Sequence, residues 1–370
     1  MVKAGLIVNP IAGMGGRVGL KGTDGPEIVA RARKLGAEPV SPSRTVRACC
    51  KLSRLENLEL LAYSQKMGEL EAKEAGLNPR ILGSIPSGST RSSHTVQAAR
   101  AMAQRNLDLL LFAGGDGTAR DIYDAVGQDQ IVLGIPAGVK IQSGVFGRTP
   151  ASAGKLAGAF LRGDVSRTRR GEVMDIDEEA YRKGSVRSKL FGYLIVPSQQ
   201  NYVQSRKVGT SASESHIQQA IAEEVIEEMV SEYTYLIGPG STTQPVLEKL
   251  GLDGTLLGVD AIKGNELLGE DLNESDLLKL TVEGQTRLIV TPIGGQGHLF
   301  GRGNQQISPR VLSHLRREEI IPVATPGKIA SLGGKPLLVD TGDEETDRSL
   351  CGYFPLITGY REQVMYRVSR

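Results

Sequence analysis

The chain has no tryptophan, and aromatic residues make up only 4% of it. It therefore lacks the aromatic platforms on which single-stranded nucleic acids stack. Charge of one sign is missing as well. The 44 basic and 42 acidic residues leave a formal net charge of +2, with no basic field for nucleic acid or an anionic membrane surface. Cysteine is scarce: Cys49, Cys50 and Cys351 form no C-x-x-C, which excludes zinc-ribbon and thioredoxin-like chemistry. Cys49 and Cys50 are adjacent and poorly placed to bridge each other, so reduced core thiols of a cytosolic protein are expected. The four histidines, His94, His216, His298 and His314, show no metal-ligand spacing. No apolar run reaches membrane-spanning length. The N-terminal apolar stretch is too short for a signal peptide and ends at Asn9-Pro10, so a cytoplasmic protein without a membrane partner is expected. Neither a Walker A motif nor a repeat of fixed period occurs, and the run Gly13 to Val18 misses the spacing of a dinucleotide fingerprint.

What the chain does have is length, glycine and alternation. At 370 residues it exceeds one ordinary core, and two domains are expected. Strand patterns at Ala4–Val8, Ile81–Ile85, Leu107–Ala113 and Ile131–Ile135 alternate with helical patterns at 26–35, 94–105 and 118–126. A further helix is expected over 55–75. This alternation implies a doubly wound parallel sheet. Strands at 173–177 and 190–196 open a second region. A helix over 214–231 there places Ile217, Ile221, Val225 and Met229 on one face, and Glu223, Glu224, Glu227 and Glu228 form a solvated face. Strands and helices alternate again over 234–325. The fold class read from this is α/β with two lobes, an N-terminal doubly wound parallel sheet and a second mixed α/β lobe. The expected divisions are 1–163, 164–325 and a C-terminal segment 326–370 returning to the first domain.

The 46 glycines cluster in loops that follow strands. The sharpest is Gly114-Gly115-Asp116-Gly117-Thr118, between a buried strand and a helix. At the carboxyl edge of an open sheet, a helix N-terminus offers N–H groups and partial positive charge to phosphate. Glycine lets phosphate oxygens approach the backbone. An aspartate there repels phosphate unless it meets Mg²⁺ or takes a proton from an attacking hydroxyl, and both are kinase tasks. A glycine turn with Asp116 as a mere helix cap is the plain alternative. Similar loops follow other strands: Pro86 to Thr90, Pro136 to Lys140, Gly238 to Thr243 and Thr291 to Gly297. Gly138 lies in the second of these, and Lys140 would neutralise phosphate as a point charge.

Gly114 to Thr118 matches the signature of the NAD kinase/diacylglycerol kinase superfamily, which is related to phosphofructokinases. The opening Leu6-Ile7-Val8-Asn9-Pro10 resembles the strand ending in Asn-Pro with which such kinases begin. The strings from Asn9, from Phe112 and from Thr291 through Gln306 resemble one branch, the archaeal and bacterial ATP-NAD kinases, to which acetoin-catabolism X-type proteins are similar. The resemblance covers nearly the whole chain. It implies transfer of a phosphoryl group from ATP or polyphosphate, with Mg²⁺, to the 2′-hydroxyl of the adenosine ribose of NAD. It further implies Asp116 as base or metal-linked acid, with Asn9, Gly114, Gly115, Gly117, Thr118, Gly138, Lys140, Gly240, Ser241 and Thr242 around phosphates or nucleotide. Asp260, Gly294, Gly295, Gln296, Arg302 and Asn304 are the candidates for acceptor contact, and a homo-oligomer is expected. No metal ligand is assigned. Asn265-Glu266 matches the acceptor-binding pair of NAD kinases literally, but its Lys-Gly-Asn-Glu setting reads as a hairpin turn. The alternation over 234–325 departs from the β-rich second domain of well-studied NAD kinases. A polyol, nucleoside or lipid kinase, and a nucleotide-binding protein without catalysis, are the competing readings.

Overall fold

A computed structural model of the chain describes all residues except 21, 24, 86–89, 128, 140, 177–187, 200–211 and 294–296. The chain forms two compact units, Met1–Gly15 with Gly22–Arg206, and Gly16–Lys21 with Lys207–Arg370.

The first unit is built on β1 (Val2–Val8), β2 (Leu58–Tyr63), β3 (Arg80–Gly83), β4 (Leu109–Gly114) and β5 (Val132–Pro136). Their order is β3-β2-β1-β4-β5, and every pairing is parallel. The helices are α1 (Pro26–Lys34), α2 (Ser41–Cys49), α3 (Glu69–Glu74), α4 (Ser92–Ala103), α5 (Asp116–Val126) and α6 (Pro150–Arg162). A strand buried on both faces reads as a continuous apolar run. In β4, Leu109, Leu111 and Ala113 meet one core with residues of α2, α3 and α6. Leu110 and Phe112 meet the other core with residues of α4 and α5. β6 (Thr168–Ile176) and β7 (Ser188–Pro197) form an antiparallel ribbon, and their Val173, Leu194 and Val196 complete that second core.

The second unit comprises α7 (Ala212–Glu227), β8 (Thr234–Ile237), α8 (Gln244–Lys249), β9 (Asp260–Lys263), β10 (Glu266–Gly269), α9 (Glu274–Glu283), β11 (Thr286–Val290) and β12 (His298–Phe300). After these come α10 (Pro309–Leu312), β13 (Ile320–Pro322), α11 (Pro326–Ser331), β14 (Leu337–Val339), α12 (Glu344–Ser349), β15 (Gly352–Gly359) and β16 (Glu362–Ser369). One sheet runs β10-β9-β8-β11-β13 and another β12-β14-β16-β15. In the first, β8, β11 and β13 are parallel and β9 is antiparallel to β8.

The α/β class and the doubly wound first sheet are as read from the sequence. Four expectations change. The helix expected over 55–75 is β2 followed by the short α3. Leu58-Glu-Leu-Leu-Ala-Tyr63 favours helix by composition, but the slot between β1 and β3 buries Leu60 to Tyr63, and tertiary burial overrides propensity. The first unit extends past residue 163, because the β6–β7 ribbon packs into its core. The segment 326–370 stays in the second unit, where β14 pairs with β12 and β16. Finally, the acidic side of α7 is not simply solvated. Glu224 is buried and accepts the Arg361 N–H at 2.7 Å, where the β15–β16 turn places Arg361 at φ 55°. Glu227 accepts from the Tyr360 hydroxyl and Glu223 pairs with Lys249. The apolar face of α7 is as expected: Ile221 and Val225 are core, with Ile217 and Met229 against it.

Candidate active site at the β1–β4 switch

From β1 the chain passes to β2 and β3 on one side, then crosses to β4 and β5 on the other. The carboxyl ends of β1 and β4 therefore flank the switch point, where ligands of open α/β sheets bind. Asn9 follows β1 directly, and its N–H donates to the Ala113 carbonyl at 3.0 Å. The Asn9 Nδ2 donates to Thr118 Oγ1 at 3.0 Å, and its Oδ1 accepts the Ile11 N–H at 3.3 Å. This side chain thus ties the β1 loop to the first turn of α5.

The glycines after β4 are explained first by packing. A Cβ on Gly114 would lie 2.3 Å from Thr118 Oγ1. A Cβ on Gly138 would lie 2.7 Å from the Gly115 Cα, so the loops after β4 and β5 touch backbone to backbone. The N–H groups of Ala137 and Gly138 both donate to the Gly114 carbonyl, at 2.9 and 3.0 Å. Gly115 is the N-cap of α5 and has no side chain to cap it. The first turn of α5, which contains Gly117 and Thr118, therefore opens at the switch with its amides directed as an anion requires.

Asp116 is the first residue of α5 and is 7% exposed. Its Oδ2 accepts the Gln142 N–H at 2.8 Å and its Oδ1 the Ser143 N–H at 3.0 Å. Asp116 is thus both a clasp on the loop after β5 and an acceptor at the α5 terminus. Asn9, Gly114, Gly115, Asp116, Gly117, Thr118 and Gly138 lie together here. Lys140 lies outside the described residues. Arg44 of α2 was not foreseen: it is buried, and its Nη1 donates to the Pro136 carbonyl at 3.3 Å. No motif surrounds Arg44, and only the packing of α2 brings it to the end of β5.

Known proteins can be compared with the chain at this point. The ATP-NAD kinase N-terminal domain matches residues 5–165, with the Gly114–Thr118 loop and Asn9 inside it. The ATP-NAD kinase C-terminal domain matches residues 230–368. The chain belongs to the ATP-NAD kinase family. It is a phosphotransferase, and at the level of the family its acceptor is NAD-like and its donor ATP. No curated protein and no solved structure matches the chain.

The C-terminal kinase domain carries its own sheet edge. β8, β11 and β13 run parallel and are followed directly by Gly238, Thr291 and Val323. Gly240 has φ 145°, and a Cβ there would lie 2.5 Å from the Thr291 methyl. Thr243 Oγ1 donates within the loop to the Gly238 and Gly240 carbonyls. Ser241 is exposed, whereas Thr242 is fully buried and its hydroxyl has no hydrogen-bond partner among the described residues. Lys328 of α11 reaches this edge, its Nζ donating to Thr291 Oγ1 at 3.1 Å. Sequence reading missed Lys328, which follows an unremarkable Thr-Pro-Gly.

Asp260 opens β9 rather than ending a strand. Because β9 is antiparallel to β8, with Asp260 opposite Ile237, it still reaches the same edge. It is fully buried, and its oxygens accept from the Thr255 N–H, the Thr255 hydroxyl and the Asp271 N–H at 2.7–2.9 Å. Burial, the largest influence, holds its carboxyl above the usual range against the opposing pull of these donors. Asn304 accepts the Gly301 N–H and donates to the Leu299 carbonyl, which fixes the turn after β12, and neighbouring Arg302 is 1% exposed. Gly294, Gly295 and Gln296 lie outside the described residues. Asn265 sits in the two-residue turn between β9 and β10, with Gly264 at φ 56°.

Among the described residues no group of three or more His, Cys, Asp or Glu side chains could hold a metal ion. Magnesium bound to nucleotides is commonly held by phosphates, waters and one or two carboxylates. The Asp116 carboxylate, at the head of α5, fits an ion carried chiefly by the donor. No described helix is long and apolar enough to cross a membrane.

Proposed function

We propose that the chain transfers the γ-phosphoryl group of ATP to the 2′-hydroxyl of the adenosine ribose of NAD. The observation that carries this reading is Asp116, held by two amides at the N-terminus of α5 and at the β1–β4 switch. In phosphoryl transfer the protein mainly positions groups and neutralises charge. The first-turn amides of α5, with Gly114, Gly115, Gly117 and Thr118, would receive donor phosphates, and Asn9 would hold that turn in place. Gly138 allows the neighbouring loop to close on Gly115, and Lys140 supplies positive charge. Asp116 takes the proton of the ribose hydroxyl as the new O–P bond forms and the bond from the γ-phosphorus to the β–γ bridging oxygen breaks, leaving ADP. Mg²⁺ would be held by the phosphates with Asp116, and it would offset their charge.

The loop of Gly240, Ser241 and Thr242 is assigned to nucleotide contact in the C-terminal domain. Asp260, held by the Thr255 and Asp271 amides and the Thr255 hydroxyl, and Asn304, held by backbone, act by fixing the loops around it, and Arg302 belongs to the same turn as Asn304. The test incubates purified protein with Mg²⁺, NAD and ATP, measures NADP with an NADP-specific dehydrogenase, and runs Asp116→Ala beside it. NADP formed by the native chain and lost in the variant is the expected result. No NADP from folded protein, with either ATP or polyphosphate as donor, refutes the acceptor assignment.

A further inference from the structure

The geometry points to Ser143 as a positioning residue for Asp116, with the β6 strand as its anchor. This rests on the reading of Asp116 as the group that takes the acceptor proton. Asp116 and Ser143 are 27 positions apart, yet the Ser143 N–H meets Asp116 Oδ1 at 3.0 Å, next to the Gln142 N–H on Oδ2. Two consecutive amides on the two oxygens of one carboxylate fix both its torsions, so its direction is set by where residues 142 and 143 lie. That location is set in turn by the Ser143 side chain. Ser143 is fully buried. Its hydroxyl donates to the Met174 carbonyl at 3.1 Å and accepts the Met174 N–H at 2.9 Å, so one side chain satisfies both backbone groups of a β6 residue. The strap continues at the next residue, where the Gly144 N–H donates to the Glu172 carbonyl at 2.8 Å. The Gly144 carbonyl accepts from Arg169 Nη2. A Cβ on Gly171 would lie 2.9 Å from that carbonyl oxygen, so the strand approaches the loop as closely as glycine permits. Serine at 143 thus takes the place of a peptide group in a ladder between the loop and β6, while its own amide faces the carboxylate.

Displacements of about 1 Å at a reacting group lower turnover about 100-fold. Loss of the strap is therefore expected to lower kcat while substrate binding, which rests mainly on the first-turn amides of α5 and on Mg²⁺ carried chiefly by the donor's own phosphates, holds. The experiment measures kcat, KM for ATP and KM for NAD in Ser143→Ala, in Ser143→Cys and in the same Ser143→Ala change placed on Asp116→Asn. Alanine removes both bonds to Met174, and cysteine keeps the volume with a weak donor and acceptor. The expected result is a fall in kcat of about 10- to 100-fold in both single variants, KM values within about twofold, and no further loss on the Asp116→Asn background. If alanine unfolds the chain at the assay temperature, Ser143→Cys decides. Native kcat in the folded single variants overturns the inference and leaves Asp116 untouched. So does an equal fall on both backgrounds, because Ser143 would then act elsewhere. Native turnover in Asp116→Asn overturns the reading of Asp116 itself, and the inference falls with it.

Discussion

Gly138→Ala tests the joint between the loops after β4 and β5 of the first unit. The added Cβ would sit 2.7 Å from the Gly115 Cα. Ordinary contact begins near 3.4 Å, so the loops after β4 and β5 must part by about 0.7 Å. Neither can yield by a side-chain rotation, because both contacting atoms are backbone. Overpacking of this kind destabilises by about 1–3 kcal/mol. At about 2–4 °C per kcal/mol for a unit of this size, the melting temperature should fall by about 2–12 °C. The same shift moves Gly115 at the head of α5 and strains the amides of Gln142 and Ser143 on Asp116, so kcat/KM should fall by up to about 100-fold. Gly115→Ala makes the reciprocal contact at 3.2 Å and should melt nearer to the native chain. Gly284→Ala is the control: its backbone is extended at φ −153° and its nearest neighbour is 4.0 Å away, so both readings should stay native. Thermal melts and the NADP-forming rate on all three variants decide. A Gly138→Ala chain with native melting temperature and native kcat/KM refutes the claim that this contact is tight and shapes the site.

Thr118→Val keeps the volume beneath Gly114 but leaves Asn9 Nδ2 without the Thr118 oxygen. It should destabilise by about 1–3 kcal/mol and weaken ATP binding, measured by calorimetry, whereas Thr118→Ser should retain both. Asp116→Asn turns one acceptor into a donor facing an amide. It should lower kcat by about 10²–10⁴-fold and also lower the melting temperature, in contrast to a variant affecting catalysis alone. Burial pushes the Cys49 thiol up to about 12, so at pH 8 a thiol reagent should leave Cys49 unmodified in the folded chain while exposed Cys50 reacts. Asp260, its pKa raised by burial, binds its proton more tightly folded than unfolded. Its contribution to stability is present below the ordinary carboxylate value and is lost as pH rises through the folded value. Asp260→Asn cannot lose a proton, so its melting temperature relative to the native chain should rise as pH is raised above the ordinary carboxylate range.

Most local elements, and the glycine-acid loop at the first sheet edge, were legible in the sequence. Buried strands such as Leu109–Gly114 announce themselves as apolar runs, and a glycine-acid loop between strand and helix has few structural solutions. The Gly264-Asn265 hairpin and the apolar stripe of α7 were legible for the same reason: neighbours a few positions apart decide them. Only the tertiary structure decided what depends on partners far along the chain. Leu58–Tyr63 is a strand because β1 and β3 lie on either side, against its own helical composition. Gly114 needs to be glycine because of Thr118, and Gly138 because of Gly115. Asp260, at the start of its strand, reaches a carboxyl edge because β9 runs backwards. Above all, no spacing in the sequence discloses that the Asp116 carboxylate rests on the amides of Gln142 and Ser143 and, through Ser143, on β6. Backbone amides are the same at every position, so which of them meets a side chain is fixed only when the chain has folded around both.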